Sequence, residues 1–281
     1  MKCLFRILFI FVLSIVPLGA MSQIVTYPEE TTLNSDSLRK EFDSRPYFGL
    51  YKDNYFIFGP SLNKRPDKTN TNVKFQVSIQ QRLTNRKFPF GAYLYLFYTQ
   101  KVQWNILEES LPMTDLSFNP GIGIAKPIFS KNKFIGKVCL QIEHESNGKD
   151  SIASRSWNRV SFSSNILITK NLMVHGKVWI PIIDGEHNKD ILKYCGVYQF
   201  GIQAKSLNER WRFGMTFVKL KGWNLNHNIV IDAHYYFSRK ADWAIYTQLY
   251  CGYGENLLEY NIYKCQLRAG IVISPKFFSD Y

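Results

Sequence analysis

The residue types best suited to chemistry are concentrated in one short stretch, Glu143 to Arg159. It contains a histidine and a serine two residues apart, His144 and Ser146, and an asparagine further along, Asn158. A serine hydroxyl becomes a useful nucleophile when a base removes its proton. An imidazole acting as that base needs a partner that fixes its tautomer and ring angle, and an asparagine can do this without carrying charge. These residue types suit acyl transfer to serine, although a serine and a histidine on one strand are commonplace polar residues.

Strand periodicity gives the three side chains a common direction. One parity of the strand before the hairpin contains Val138, Leu140, Ile142, His144 and Ser146. Because alternate residues of a strand face opposite sides, the histidine and the serine continue an apolar stripe. If the hairpin is centred on Ser151, His144 lies directly across from Asn158. We therefore predict Ser146 as nucleophile, His144 as base and Asn158 as orienter, all on one outer face.

The elements around this stretch are predicted to be strands. Apolar and polar residues alternate along most of the chain, as in Val73 to Gln80 and Tyr263 to Ile273, with almost no helical pattern. Aromatic residues make up 16% of the chain, and Tyr and Phe dominate them. A soluble core does not need so many tyrosines, whereas a transmembrane barrel has aromatic girdles at both interfaces and a polar lumen. We predict an all-β fold, a transmembrane antiparallel β-barrel whose apolar stripes face lipid.

About twelve strands account for the length that remains after the amino-terminal segment. We place them near residues 52–61, 72–83, 90–101, 115–127, 134–146, 154–168, 171–182, 192–205, 210–220, 224–237, 241–253 and 261–274. Short turns between them are expected on the periplasmic side and longer loops on the extracellular side. The aromatic ending at 276–281 is similar to the signal that barrel-assembly machinery reads.

The amino-terminal segment is predicted to direct export. Lys2 and Arg6 flank the start of a short apolar run that ends in small residues near Ala20, which is typical of a secretory signal peptide. We assign residues 1–22 to the signal peptide, 23–45 to a periplasmic segment and 46–281 to the barrel. The net charge of +13 would suit nucleic acid. Because the chain is exported and its charge is scattered, we instead expect anionic lipid partners and no nucleic acid.

The cysteines show no metal-binding or redox spacing. Cys139, Cys195, Cys251 and Cys265 remain after the signal peptide. The periplasm permits disulfides, so one bridge is conceivable, and Cys251 and Cys265 would face each other if the last hairpin has a suitable register. The interpretation we favour is four small apolar filling residues.

The motif around the serine resembles the signature of the outer-membrane phospholipase A family. The resemblance consists of His144-x-Ser146-Asn147-Gly148 followed by Ser154-Arg155-Ser156-Trp157-Asn158-Arg159. Further matches follow in order along most of the chain: Tyr98-Thr-Gln100 with Trp104, Glu108-Glu-Ser110-x-Pro112, Asn119-Pro120, Lys193-Tyr194 and Tyr246-Thr-Gln248 to Glu255. Gln100 matches a family glutamine near a dimer seam, and an ordinary polar strand residue is an equally good interpretation.

The resemblance implies an activity, a cofactor and an assembly. It implies a twelve-stranded barrel in the outer membrane of a Gram-negative bacterium that hydrolyses acyl esters of phospholipids and lysophospholipids, with A1 and A2 activity. It further implies a homodimer that is active with calcium at the subunit seam. The implied calcium ligands are Ser154, the backbone carbonyl of Lys149 and, from the opposite subunit, Ser110. The segment between Trp104 and Ser110 is shorter here than in enteric members of the family.

Two other classes of protein are compatible with parts of the pattern. One is a porin-like barrel that has no catalytic activity and keeps the motif by descent. The other is a soluble, secreted β-sandwich esterase, because a sandwich also alternates apolar and polar residues.

Overall fold

A closed antiparallel barrel is formed in the described part of the chain. The computed structural model describes residues 40, 43–44, 47–85, 87–130, 133–182, 186–238 and 241–274. The predicted signal peptide (1–22), most of the predicted periplasmic segment (23–45) and the aromatic ending (276–281) lie outside the described residues. The strands are β1 (Phe48–Leu50), β2 (Asn54–Gly59), β3 (Asn72–Arg82), β4 (Tyr93–Trp104), β5 (Met113–Ser130), β6 (Lys133–Ser146), β7 (Ser156–Thr169), β8 (Leu172–Ile182), β9 (Tyr198–Lys205), β10 (Trp211–Lys219), β11 (His227–Tyr235), β12 (Trp243–Gly252) and β13 (Lys264–Ile273).

The barrel closes where its last strand pairs with its first. β13 pairs with β2, and each strand from β3 onward pairs with its neighbour in the chain. β1 and β2 both pair with β3, so they are two pieces of a single barrel strand. In the described residues the barrel therefore has the twelve strands that the alternation predicts. A closed barrel leaves no unpaired sheet edge, which excludes the β-sandwich alternative.

The two faces of the barrel have opposite polarity. Leu140 and Ile142 are 52% and 60% exposed on the outside, while Gln141 and Glu143 between and beside them are 1% exposed and face the lumen. The same alternation occurs in β13, where Leu267 and Ile271 face out and Arg268 faces in. An apolar outer surface around a polar interior is the arrangement that a bilayer requires of a barrel. No helix among the described residues is long and apolar enough to cross a membrane.

Two loops cap the lumen at the end of the barrel where the longer loops lie. The loop between β8 and β9 contains a short helix, α1 (Leu192–Cys195), and its neighbour Ile191 packs against Trp157 of β7 and against Leu257 and Tyr260 of the β12–β13 loop. Glu255 of the second loop is buried against Arg268 and Lys74. Burial raises the pKa of the Glu255 carboxyl, but the guanidinium of Arg268 and the ammonium of Lys74 outweigh it and hold the pKa at about 2.

Two details differ from the sequence-based prediction. Residues 192–195 were predicted to begin a strand but form α1, and the strand begins at Tyr198. The interpretation of all four cysteines as filling residues is wrong, because Cys251 and Cys265 form a disulfide across β12 and β13. These two residues are directly paired in the register of the two strands. Among the described residues, Cys139, which is buried, and Cys195 take no part in a disulfide.

Candidate active site

His144 and Asn158 are joined across the β6–β7 hairpin. The two residues are direct partners in the register, which confirms that the hairpin is centred on Ser151. The Nδ1 atom of His144 lies 2.8 Å from the Oδ1 atom of Asn158. Because an amide oxygen can only accept, Nδ1 carries the proton and donates it to Asn158. The lone pair of Nε2 is therefore available to accept a proton from another group.

Ser146 lies on the same outer face, one step further along β6. Its register partners are Ser156 on β7 and Phe118 on β5, and Phe118 in turn pairs with Gln100 on β4. Residues two apart on a strand are roughly 7 Å apart, so the serine and histidine side chains meet only when they lean toward each other. In the described part of the chain no hydrogen bond joins the Ser146 hydroxyl to His144. The structure thus brings His144 and Asn158 into contact and places Ser146 beside them.

The polar side chains emerge from an apolar surface. His144, Ser146 and Asn158 are each half-buried, and they continue the outward row of Leu140 and Ile142. The strand parity predicted from the sequence is confirmed. Polar groups directed toward hydrocarbon are costly unless they are paired or functional. An uncharged orienter such as Asn158 is less costly in this position than a carboxylate would be.

The hairpin that follows Ser146 is held together by one asparagine. The side chain of Asn147, which is 2% exposed, donates to the carbonyl of Ala153 at 2.9 Å and accepts from the N–H groups of Lys149 at 3.3 Å and Arg155 at 3.0 Å. Gly148 next to it has a φ of 63°, a left-handed conformation in which glycine is favoured. A Cβ atom at Gly148 would also lie 2.8 Å from the Phe118 ring.

Two oxygen atoms of this hairpin are available as ligands. Among the described residues, the hydroxyl of Ser154 and the backbone carbonyl of Lys149 make no hydrogen bond, whereas the neighbouring backbone is largely paired. The N–H of Gly148 likewise has no acceptor within the described part of the chain. Hydroxyl and carbonyl oxygens are hard ligands of the kind that calcium prefers. The chemistry of the donor set therefore fits calcium, with ligands still to be supplied by water or by another chain.

Ser110 lies at the same end of the barrel, on a different loop. It is exposed in the loop between β4 and β5, close to the point where the indole Nε1 of Trp104 donates to the carbonyl of Leu111 at 2.9 Å. Nothing in the described residues links Ser110 to Ser154 or Lys149 within one chain. No group of three or more His, Cys, Asp or Glu side chains that could hold a metal occurs in the described residues.

Directly behind the outer face, charged side chains form a buried network in the lumen. Arg159 pairs with Glu143 at 3.0 Å and with Glu145 at 3.1 Å. Lys177 pairs with Glu143 at 2.6 Å, and Lys101 pairs with Glu145 at 3.3 Å. Each carboxylate belongs to a residue next to His144, so the network fixes the inner side of the strand whose outer side carries the histidine. The sequence-based prediction missed this network, although the inward parity of the charged residues was a visible signal.

Two further asparagines support the same strands. The side chain of Asn119 on β5 donates to the backbone carbonyl of His144 at 2.7 Å. The side chain of Asn188, in the β8–β9 loop, bonds the backbone of Ser156. In the sequence, Asn119 belongs to the Asn119-Pro120 match, whereas no local pattern indicates a role for Asn188.

The lumen behind the site is narrowed by charged side chains and by the two capping loops. The cavity there is about 210 Å³, lined by residues that include Lys101, Glu145, Trp157, Arg159 and Lys177. Cys195 and Leu257 of the capping loops line it as well. Loops that reach into the lumen do not favour the porin-like alternative, since a porin keeps an open aqueous channel.

Comparison with known proteins identifies relatives over most of the chain. The profile of the Phospholipase A1 family matches residues 46–273. The Phospholipase A1 of Escherichia coli is 28% identical over 247 residues, which is 81% of each chain.

Solved structures show the same fold. The barrel matches the outer membrane phospholipase A from Escherichia coli with a TM-score of 0.71 and 25% identity, covering 82% of this chain and 99% of that one. It also matches the calcium-bound dimer of the Salmonella typhi outer membrane phospholipase, with a TM-score of 0.70 and 25% identity over 81% of this chain and 92% of that one.

Proposed function

Because the chain belongs to the phospholipase A1 family, we propose that it hydrolyses acyl esters of phospholipids and lysophospholipids with a Ser146–His144–Asn158 triad on its lipid-facing surface. The chain is an outer-membrane phospholipase of a Gram-negative bacterium, and the triad, the calcium requirement and the dimer are the parts proposed here. The hydrogen bond of 2.8 Å between His144 and Asn158, on the outside of the barrel, carries the proposal. It orients an imidazole beside a serine where acyl chains of a membrane lipid would lie.

The chemistry follows from this arrangement. His144 Nε2 accepts the proton of the Ser146 hydroxyl as Oγ attacks the ester carbonyl. The imidazolium, which Asn158 holds in position, then gives its proton to the departing alcohol oxygen of the lysolipid, and an acyl-serine remains. Water attacks the acyl-serine after losing a proton to the same nitrogen, and that proton returns to Ser146 Oγ as the fatty acid leaves.

The negative charge that develops on the carbonyl oxygen needs a donor. The N–H of Gly148, which has no acceptor among the described residues, lies two residues after Ser146 and is a candidate for this role. A calcium ion held by Ser154, the Lys149 carbonyl and Ser110 of a second copy would supply further positive charge there. Ligands split between two chains would make the site complete only in the homodimer, and a site without a carboxylate should be weak. The outward row of Gln100, Phe118 and Ser146 is the surface that we assign to the dimer seam.

The test is acyl release from phospholipid in detergent micelles, measured with calcium and then with EDTA. Ser146→Ala is expected to lower the rate at least about a thousandfold, because a nucleophile has no substitute. Ser164→Ala is the matched control, since Ser164 also faces outward on β7 but lies far from Ser146, and it should stay near the wild-type rate.

Each outcome addresses one part of the proposal. Equal activity in Ser146→Ala and wild type would reject the nucleophile. Activity that persists in EDTA would leave the serine and histidine in place and remove the roles of Ser154, Lys149 and Ser110.

A further inference from the structure

The strand that carries Asn158 is bonded at its capped end by a loop residue. Ile182 of β8 is the register partner of Asn158. β7 begins at Ser156, two residues nearer to the capped end of the barrel. The N–H and C=O groups of one residue point to the same side of a strand, and those of Ser156 point to the side on which Asn188 lies.

The side chain of Asn188 bonds both backbone groups of Ser156. Its Oδ1 accepts the N–H of Ser156 at 3.2 Å, and its Nδ2 donates to the carbonyl of Ser156 at 2.8 Å. One carboxamide thus reproduces the paired donor and acceptor of a backbone residue. Asn188 has no exposed surface, so water does not compete for these bonds.

This pairing determines which kind of cross-strand pair Ser156 forms with Ser146. Because the backbone groups of Ser156 point to Asn188, the pair of Ser146 and Ser156 is a pair without mutual backbone hydrogen bonds, in which side chains are closest. The next pair, formed by Asn147 and Arg155, is hydrogen-bonded at 3.0 Å and begins the hairpin with the candidate calcium ligands. The end of β7 at Ser156 therefore sets the position of the strand on both sides of the triad.

We infer that Asn188 is a positioning residue of the active site, which holds the end of β7 so that Asn158 and Ser146 keep their relative geometry. This inference rests on the proposed triad and adds a residue on a separate loop to it. Trp157, the residue between Ser156 and Asn158, packs against Ile191 of the same loop, so the loop holds β7 by both backbone and side chain. Displacing a reacting group by about 1 Å can cost a hundredfold in rate.

The first experiment measures kcat and KM for acyl release from phospholipid micelles with calcium. Asn188→Ala is expected to lower kcat about 10- to 100-fold and to leave KM unchanged. Asn228→Ala is the matched control. Asn228 is equally buried, at 3% exposure, and its amide also bonds one backbone carbonyl and one N–H, those of Tyr194 and Tyr253 in the cap. It should lower the urea midpoint of unfolding by a similar amount and lower kcat much less than Asn188→Ala does, because its bonds reach Tyr194 and Tyr253 and not β7.

A second variant tests the donor half of the pairing by its pH dependence. Asn188→Asp keeps an acceptor for the Ser156 N–H but loses the donor to the Ser156 carbonyl. Protonation of the new carboxyl restores an O–H donor. The ratio of its kcat to that of wild type should therefore rise as the pH falls, because any pH dependence that the two proteins share cancels in the ratio.

A third measurement does not depend on activity. Amide hydrogen exchange of a peptide covering residues 154–158 should become faster in Asn188→Ala and not in Asn228→Ala. Wild-type kcat in Asn188→Ala, an equal loss in both alanine variants, a pH-independent ratio or unchanged exchange would each overturn the inference. If Ser146→Ala is as active as wild type, the proposed triad fails, while the exchange result still decides whether Asn188 holds the end of β7.

Discussion

Asn158 performs a task at the level of a single residue that few side chains could perform on a lipid-facing surface. It must accept a hydrogen bond from His144 and remain uncharged when the imidazole is neutral. A carboxylate would bind the imidazolium more strongly, but it would be an unpaired charge beside hydrocarbon for the rest of the cycle. The amide gives up part of that stabilisation and avoids the cost of the buried charge.

This role predicts a partial loss when the amide is removed. Asn158→Ala should lower kcat about 10- to 100-fold, because the imidazole keeps its basicity but loses its fixed orientation. Measuring kcat beside Ser146→Ala gives the comparison, since the serine variant loses much more. Full activity would reject the orienting role. A loss as large as that of Ser146→Ala would show that Asn158 does more than orient His144.

The sequence predicts the barrel face on which the side chains of the proposed triad lie, but not the contacts that hold their strands in place. Parity along one strand is a local property with a period of two, so His144 and Ser146 follow from Leu140 and Ile142. The pairing of His144 with Asn158 needed only the centre of one hairpin. The contact of Asn188 with Ser156 depends on how a loop residue 32 positions further along the chain folds back onto β7, and no local pattern encodes this.

At the level of elements, the β6–β7 hairpin links the proposed nucleophile to the candidate calcium ligands. Asn147 fixes three backbone groups of the hairpin: the N–H of Lys149 and, on either side of Ser154, the carbonyl of Ala153 and the N–H of Arg155. The oxygen ligands are therefore placed by the same side chain that follows Ser146 in sequence. Loosening the hairpin should affect both the attack on the carbonyl and the affinity for calcium.

Two substitutions separate the hydrogen bonds that the Asn147 amide accepts from the one that it donates. Asn147→Asp keeps both bonds that Oδ1 accepts and loses the one donated to Ala153, whereas Asn147→Ala loses all three. We expect Asn147→Ala to lower the rate about 10- to 100-fold and to raise the calcium concentration for half-maximal activity, with a smaller effect in Asn147→Asp. The measurement is a calcium titration of acyl release for the three proteins. An unchanged calcium requirement in Asn147→Ala would contradict the link between hairpin and ligands.

The sequence predicts the strands of the barrel, but it places the start of β9 too early. Leu192, Lys193 and Tyr194 begin an apolar–polar alternation that suits a strand, yet together with Cys195 they form α1. The backbone N–H groups of Tyr194 and Cys195 both bond the carbonyl of Ile191, whose side chain is anchored in the cap. Packing against Trp157 thus overrode local alternation. The disulfide between Cys251 and Cys265 likewise depended on a register that the sequence could only suggest.

At the level of the whole molecule, the proposed site is incomplete in one chain. Ser154 and Lys149 lie on the hairpin after β6, whereas Ser110 lies on the loop after β4, and the described residues do not bring them together. In a twofold symmetric dimer each copy can offer Ser110 to the other, because both subunits use the same patch. The assembly would then control activity without any change in the triad itself.

Mixing two impaired variants tests whether Ser110 of one subunit serves the active site of the other. Ser110→Ala should weaken both sites of its own dimer, and Ser146→Ala should disable both sites of its dimer. In a mixed dimer, the subunit with Ser110→Ala keeps its nucleophile and receives an intact Ser110 from its partner, which restores one site.

An equal mixture that exchanges subunits freely should recover about a quarter of wild-type activity, since about half of the dimers are mixed and one of two sites works. Acyl release with calcium before and after mixing in detergent measures this, with each variant mixed with itself as the control. If Ser110 instead served its own subunit, every dimer in the mixture would lack a complete site, and mixing would recover nothing.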